Sequence, residues 1–151
     1  MAEITKLSNK ILRKTMTRIP VEDIVGGKHK IFVDEMRVEM KRHNGVGLAA
    51  NQLGKDLAIF VIEPDIARQN DVPDVYFNPE ITEHSKTLDE LEEGCLSIPE
   101  YFVPIKRAKK LKLKFIDESG KKQKIKARGF LARIYQHETD HLNGLVIKDR
   151  E

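Results

Sequence analysis

The sequence predicts an α+β fold: short antiparallel β-sheets packed around a central metal-ligand helix, preceded by an N-terminal helical region. Three observations carry this. Residues 28–43 put Phe32, Val33, Met36 and Met40 on one helical stripe. Residues 109–116 and 123–127 flank Asp117-Glu118-Ser119-Gly120, and in the first run Lys alternates with Leu or Phe, the period of a strand with one wet side. Residues 130–143 return to helical spacing, with Phe130, Leu131 and Ile134 in phase with His137 and His141.

Each element follows from local chemistry. The helix over 28–43 is expected to stop at Asn44-Gly45, as a C-terminal glycine usually dictates. Residues 57–62 form a short, strongly apolar strand, whereas Pro79 breaks 75–81 into strand ends around a turn. A β-hairpin spans 109–127, and the last helix runs to Asn143 and stops at Gly144. On that helix the two histidines extend the apolar stripe, so both imidazoles point into the protein. Two unpartnered imidazoles on a core face are costly, and a metal removes that cost.

The 151 residues read as one domain, 1–151, with 40% apolar and 34% charged residues. No apolar run approaches the ~20 residues needed to span a bilayer, so no membrane role is expected. No secretory signal is evident, and a cleaved organelle-targeting segment stays open. Cys95 is the one cysteine and has no intramolecular disulfide partner, which fits a reducing compartment. Net charge is only +3, yet residues 106–114 hold six Lys or Arg and 121–128 hold five more. The alternation of Lys110, Lys112 and Lys114 with Leu111, Leu113 and Phe115 favours a solvated sheet face. Docking to a polyanion is a second use of that face; no specific DNA binding is expected.

The chemistry concentrates in His137-Glu138-Thr139-Asp140-His141, an H-E-x-x-H run. On a helix, residues four apart lie about 40° apart around the axis, so both imidazoles reach one metal. Glu138 can then handle the proton of a water activated there. The common zinc peptidases draw a third ligand from downstream. Here the position ten after His137 is Ile147, and only ten residues follow His141, leaving no room for a further helix. The ligand is therefore expected upstream, where Cys95 sits in Glu93-Gly94-Cys95-Leu96-Ser97. Alone, such a cysteine is a small buried hydrophobe; with two histidines it completes a three-ligand site with one open position, the mark of a catalytic centre. A third segment, Gly45-Val46-Gly47-Leu48-Ala49-Ala50-Asn51-Gln52, lacks the Lys-Ser/Thr of a phosphate loop. It reads as backbone that approaches a ligand, followed by an amide, Gln52, that is either a surface group or a partner for an oxyanion.

Together and in this order, Gly45 to Gln52, Glu93 to Ser97 and Gln136 to His141 resemble the peptide deformylases, whose motifs G-x-G-L-A-A-x-Q, E-G-C-L-S and Q-H-E-x-D-H they match without mismatch. The resemblance covers most of the chain. It implies a hydrolase that removes the formyl group from the N-terminal formyl-methionine of nascent polypeptides, releasing formate. By the same resemblance Cys95, His137 and His141 bind one divalent metal, Fe²⁺ first, with Zn²⁺, Ni²⁺ or Co²⁺ able to substitute. Glu138 is the general acid/base, and the Gln52 amide and Leu96 N–H stabilise the oxyanion. Val46, Gly47 and Gly94 bind peptide backbone, with Val46, Leu91, Phe130 and Ile134 around the methionine side chain. Partners implied are N-formyl-methionyl peptides and nascent chains, with ribosome docking through the basic face. The expected location is cytoplasmic, the host cytoplasm for a virus-encoded form. The end at Glu151 is similar to shorter members that lack a further C-terminal helix. Arg133, one turn before His137, reads as a charge facing substrate or as a side chain snorkelling outward. Two other classes stay open: a non-catalytic metal-binding module, and an amidase acting on another N-acyl group.

Overall fold

A computed structural model describes residues 3–151. In chain order it contains α1 (Val21–Val25), α2 (Lys30–Arg42), β1 (Gly47–Ala49), β2 (Ile59–Ile62), α3 (Pro64–Gln69), β3 (Val75–His84), β4 (Leu88–Cys95), β5 (Ile98–Ala108), β6 (Lys110–Ile116), β7 (Lys122–Arg128) and α4 (Gly129–Leu142), with short 3-10 turns between them. Five strands form an antiparallel sheet in the order β1-β2-β3-β6-β7, and β4 and β5 form a separate hairpin. The α+β expectation holds.

The sheet separates two cores. On one face Phe60, Ile62, Tyr76, Leu113 and Phe115 pack against Leu131, Ile134 and Tyr135 of α4. On the other, Ile59, Val61, Val75 and Phe77 pack against Val33, Met36 and Met40 of α2. Side chains of a strand alternate between faces, so β2 serves both cores and is buried at every position. Each such side chain contributes about 1.5–3 kcal/mol when fully buried. The Tyr76 ring stands 4.8 Å from Phe60, 4.6 Å from Phe115 and 5.1 Å from Tyr135, measured between centroids, which locks α4 against the middle of the sheet.

Helix α4 stops where expected. Gly144 takes φ +80°, and the Leu145 N–H donates to the Asp140 carbonyl at 2.8 Å. Helix α2 ends differently from the expectation: Asn44, not Gly45, adopts the left-handed conformation, at φ 56°, which asparagine tolerates. Pro79 does not split its segment. It sits within β3 where the register with β6 shifts between Phe77 and Glu80, and a bulge accommodates a residue with no N–H to donate. The β4–β5 hairpin was not anticipated, because its many charges and Pro99 and Pro104 mask any strand period. Among the described residues no helix is long and apolar enough to cross a membrane.

Candidate metal centre and cleft

Three elements bring the three motifs together. The α4 stripe carries His137 and His141, the end of β4 carries Cys95, and the segment from β1 into the following 3-10 turn carries Gly47 and Gln52. Cys95 Sγ lies 3.3 Å from His141 Nε2, which lies 3.2 Å from His137 Nε2. A tetrahedral ion with bonds of about 2.0–2.3 Å sets ligand-to-ligand edges of roughly 3.3–3.6 Å. The two edges through His141 therefore match a site sized for a divalent ion, all three donor atoms lie within 4.8 Å of one another, and the set fits a metal. Burial pushes the Cys95 thiol up, but His141 and His137 beside it bring it down to about 5, so the thiolate, the ligating form, predominates near neutral pH.

Glu93 holds the candidate ligand His137 in place. Its Oε1 accepts from His137 Nδ1 at 2.9 Å, which leaves Nε2 to face the metal position. Arg107 grips the same carboxylate with Nε and one terminal nitrogen, both at 3.0 Å, and reaches Asp140 Oδ2 with the other at 2.6 Å. Arg133 donates to Glu93 as well, and to Asp89 Oδ1 at 2.8 Å and the Ile105 carbonyl at 2.9 Å. Arg150 closes the far end on Asp140 at 2.9 Å. Burial pushes the Glu93 carboxyl up, but His137 and Arg107 hold it at about 2. The outward-snorkelling reading of Arg133 is thus corrected: it is buried among carboxylates, because those of β4 lie directly beside it, and it also lines the cleft described below, where a charge facing substrate would sit. Arg107, read as part of a wet basic face, is likewise buried; it shares a strand face with Ile105.

Glu138 is buried beside the ligands, its Oε2 4.0 Å from His137 Nε2. Its Oε1 has no hydrogen-bond partner among the described residues, and burial raises its pKa. A carboxylate poised in this way suits proton transfer. Gly47 permits the arrangement: a Cβ there would lie 2.6 Å from Glu138 Oε2. Gln52 is fixed by the Ala49 N–H donating to its Oε1 at 3.0 Å. That bond aims its Nε2 at Ser97 Oγ, 3.1 Å away, and Cys95 Sγ, 3.6 Å away.

A cleft of about 480 Å³ opens over these groups. Its walls include Val46, Gly47, Gln52, Gly94, Leu96, Phe130 and Ile134 with Cys95, His137 and Glu138, so the structure assembles nearly all of the expected site residues. His141 lies beneath them, 1% exposed. Leu91 is the exception: it is half-exposed on β4 and does not line the cleft. Sequence reasoning missed Glu93, Arg107 and Asp140 as supports. The available signal was Glu93, two residues before Cys95 in the same short motif.

Comparison with known proteins agrees. The family model described as polypeptide deformylase matches residues 1–151. A peptide deformylase of Prochlorococcus marinus is 43% identical over 148 residues, covering 98% of this chain and 71% of that protein. The crystal structure of the Thermotoga maritima peptide deformylase matches with TM-score 0.88 at 36% identity, over 99% of this chain and 97% of that one. An Acinetobacter baumannii peptide deformylase, described as bound to Met-Ala-Ser, matches with TM-score 0.89 at 31% identity, over 100% and 98%.

Proposed function

This chain belongs to the polypeptide deformylase family, whose reaction removes the N-terminal formyl group from polypeptides, and from that premise we propose how its own residues carry out the hydrolysis. The observation that carries the reading is the buried Glu138 carboxylate, whose Oε1 has no hydrogen-bond partner among the described residues, set beside the Cys95-His137-His141 triangle in an open cleft. The family is metal-dependent; the mixed thiolate and imidazole set suits Fe²⁺, Zn²⁺, Ni²⁺ or Co²⁺ alike, so the choice of Fe²⁺ for this chain rests on its resemblance to the family. Cys95, His137 and His141 would hold the ion, which would supply a more acidic water and Lewis-acid polarisation of the formyl group.

Glu138 accepts the proton of the attacking water as the new carbon–oxygen bond forms, and returns it to the departing amine. Burial raises its pKa, which favours uptake of that proton. The Gln52 amide and the Leu96 N–H donate to the oxygen that gains negative charge; losing one such donor typically costs ~100-fold or more in rate. Formate and a free N-terminus are the products. Gly47 and Gly94 offer main chain on two sides of the cleft, where an extended peptide can pair by backbone hydrogen bonds. Val46, Phe130 and Ile134 supply the apolar wall for methionine, with Leu91 outside it. The Met-Ala-Ser bound to the Acinetobacter baumannii relative has the composition of a deformylated product, which supports this reading. Residues 1–151 act as one catalytic domain on nascent chains in the cytoplasm, docked at the ribosome through the basic sheet face.

The test is Glu138→Gln in protein purified without oxygen and loaded with Fe²⁺, because Fe²⁺ beside a thiolate oxidises readily. Formate release from a formyl-Met peptide is expected to fall at least ~100-fold while bound metal stays stoichiometric. Near-normal turnover in that variant would end the proposed mechanism.

A further inference from the structure

The outer face of β6 and β7 carries a charge arrangement that the chemistry in the cleft does not use. Three cross-strand neighbours are cation on cation: Lys110 opposite Arg128, Lys112 opposite Lys126, and Lys114 opposite Lys124. Like charges directly opposite in a sheet are destabilising. The neighbouring strand β3 offers partial relief, since Glu83 pairs with Lys112 at 3.1 Å and Glu80 with Lys114 at 3.4 Å. Among the described residues Lys124, Lys126 and Arg128 have no ion-pair partner, so six cations face two carboxylates. Lysines on an edge strand discourage unwanted strand pairing, and β7 is an edge. Edge protection does not account for the same pattern on β6, which lies inside the sheet.

We propose that this ladder is a docking surface for the phosphate backbone of RNA. Cationic side chains that leave the backbone about 6.8 Å apart along each strand and about 4.8 Å apart across the pair form a cationic patch, which reads backbone charge rather than base edges. Phosphates relieve the repulsion that the fold leaves in place. An anionic membrane fits less well, because none of the exposed large apolar residues lies on β6 or β7 to enter a bilayer. The helix α4 packs on the opposite face of these strands, so a docked RNA leaves the cleft open. The inference rests on the nascent-chain reading for its biological setting, and its own measurement is independent of turnover.

The experiment uses the metal-loaded protein and the triple variant Lys124→Gln/Lys126→Gln/Arg128→Gln. Anisotropy of a fluorescent single-stranded RNA 20-mer is followed across salt, alongside phosphatidylglycerol vesicles and a formyl-Met peptide assay. Four unneutralised cations set a slope of log K against log salt near −3, and the variant lowers its magnitude by about 2. The variant is expected to melt at or above the wild-type temperature and to deformylate free peptide at the wild-type rate. Lys126→Glu, which creates an attractive pair with Lys112, is expected to fold at least as well and to weaken RNA binding further. RNA affinity of the triple variant within twofold of wild type overturns the proposal, as does tighter binding to the vesicles than to RNA. If neither protein releases formate while the RNA result holds, the deformylation reading falls and the docking surface stands.

Discussion

Arg107 and Lys126 show how differently this chain treats charge in its two basic regions. Arg107 is 4% exposed and lies between Glu93 and Asp140, both nearly buried. Lys126 is exposed and sits opposite another lysine. In the first region every guanidinium has a carboxylate, and the chain Asp89–Arg133–Glu93–Arg107–Asp140–Arg150 touches the candidate ligand His137 through Glu93. In the second the charges repel and remain in water. Burial makes the difference: an unpaired charge costs several kcal/mol inside a protein and little outside it, so only the interior network must be neutral to fold. The lesson is that positive residues adjacent in sequence, such as Lys106 and Arg107, serve opposite ends according to which side of the strand they occupy.

Substitutions can break this contrast, and the largest effect belongs to the interior. Arg107→Met leaves Glu93 and Asp140 without their shared cation and is expected to destabilise by about 3–5 kcal/mol in urea unfolding. A loss below about 1 kcal/mol would mean that the network is not a unit.

Acid comes next. The Glu93 carboxyl is held at about 2 in the fold against 4.5 in the unfolded chain. Its contribution is therefore fully present above the unfolded value and is lost as pH falls through 4.5 toward 2. The size is about 3 kcal/mol. Unfolding curves across that window should steepen with acid for the wild type and less so for Glu93→Gln; parallel curves would remove Glu93 from the account.

The same Glu93→Gln variant should hold metal about 10–100-fold more weakly in chelator competition, since the amide withdraws the negative charge that orients and strengthens His137. Unchanged affinity would reduce Glu93 to a packing residue. At the small end, Lys126→Gln is expected to change stability by no more than about 0.5 kcal/mol, in the stabilising direction. A clear destabilisation would show that the ladder is structurally paired after all.

Much of the site was legible because its chemistry is local in sequence. The His137–His141 spacing, their phase with Leu131 and Ile134, and Cys95 in its short motif each constrain geometry over a few residues. The alternation in β6 was readable because one face of that half of the sheet is wet. The β4–β5 hairpin was not readable, because Glu93 and Arg107 occupy inward positions as charges and erase the apolar alternation that marks a strand. Pro79 misled for a related reason: a bulge, which depends on β6, absorbed it.

The sequence by itself determined the α+β class, the candidate ligand set Cys95, His137 and His141, the proposed acid/base Glu138 beside them and the basic outer strands. Those follow from helical and strand periods and from the coordination chemistry of the side chains. Only the tertiary structure decided that Arg133 and Arg107 turn inward, that Glu93 aligns His137, and that Leu91 stands outside the cleft. Each of these depends on which carboxylate or wall another element brings within about 3 Å, a distance that hydrogen bonding requires and no sequence spacing encodes.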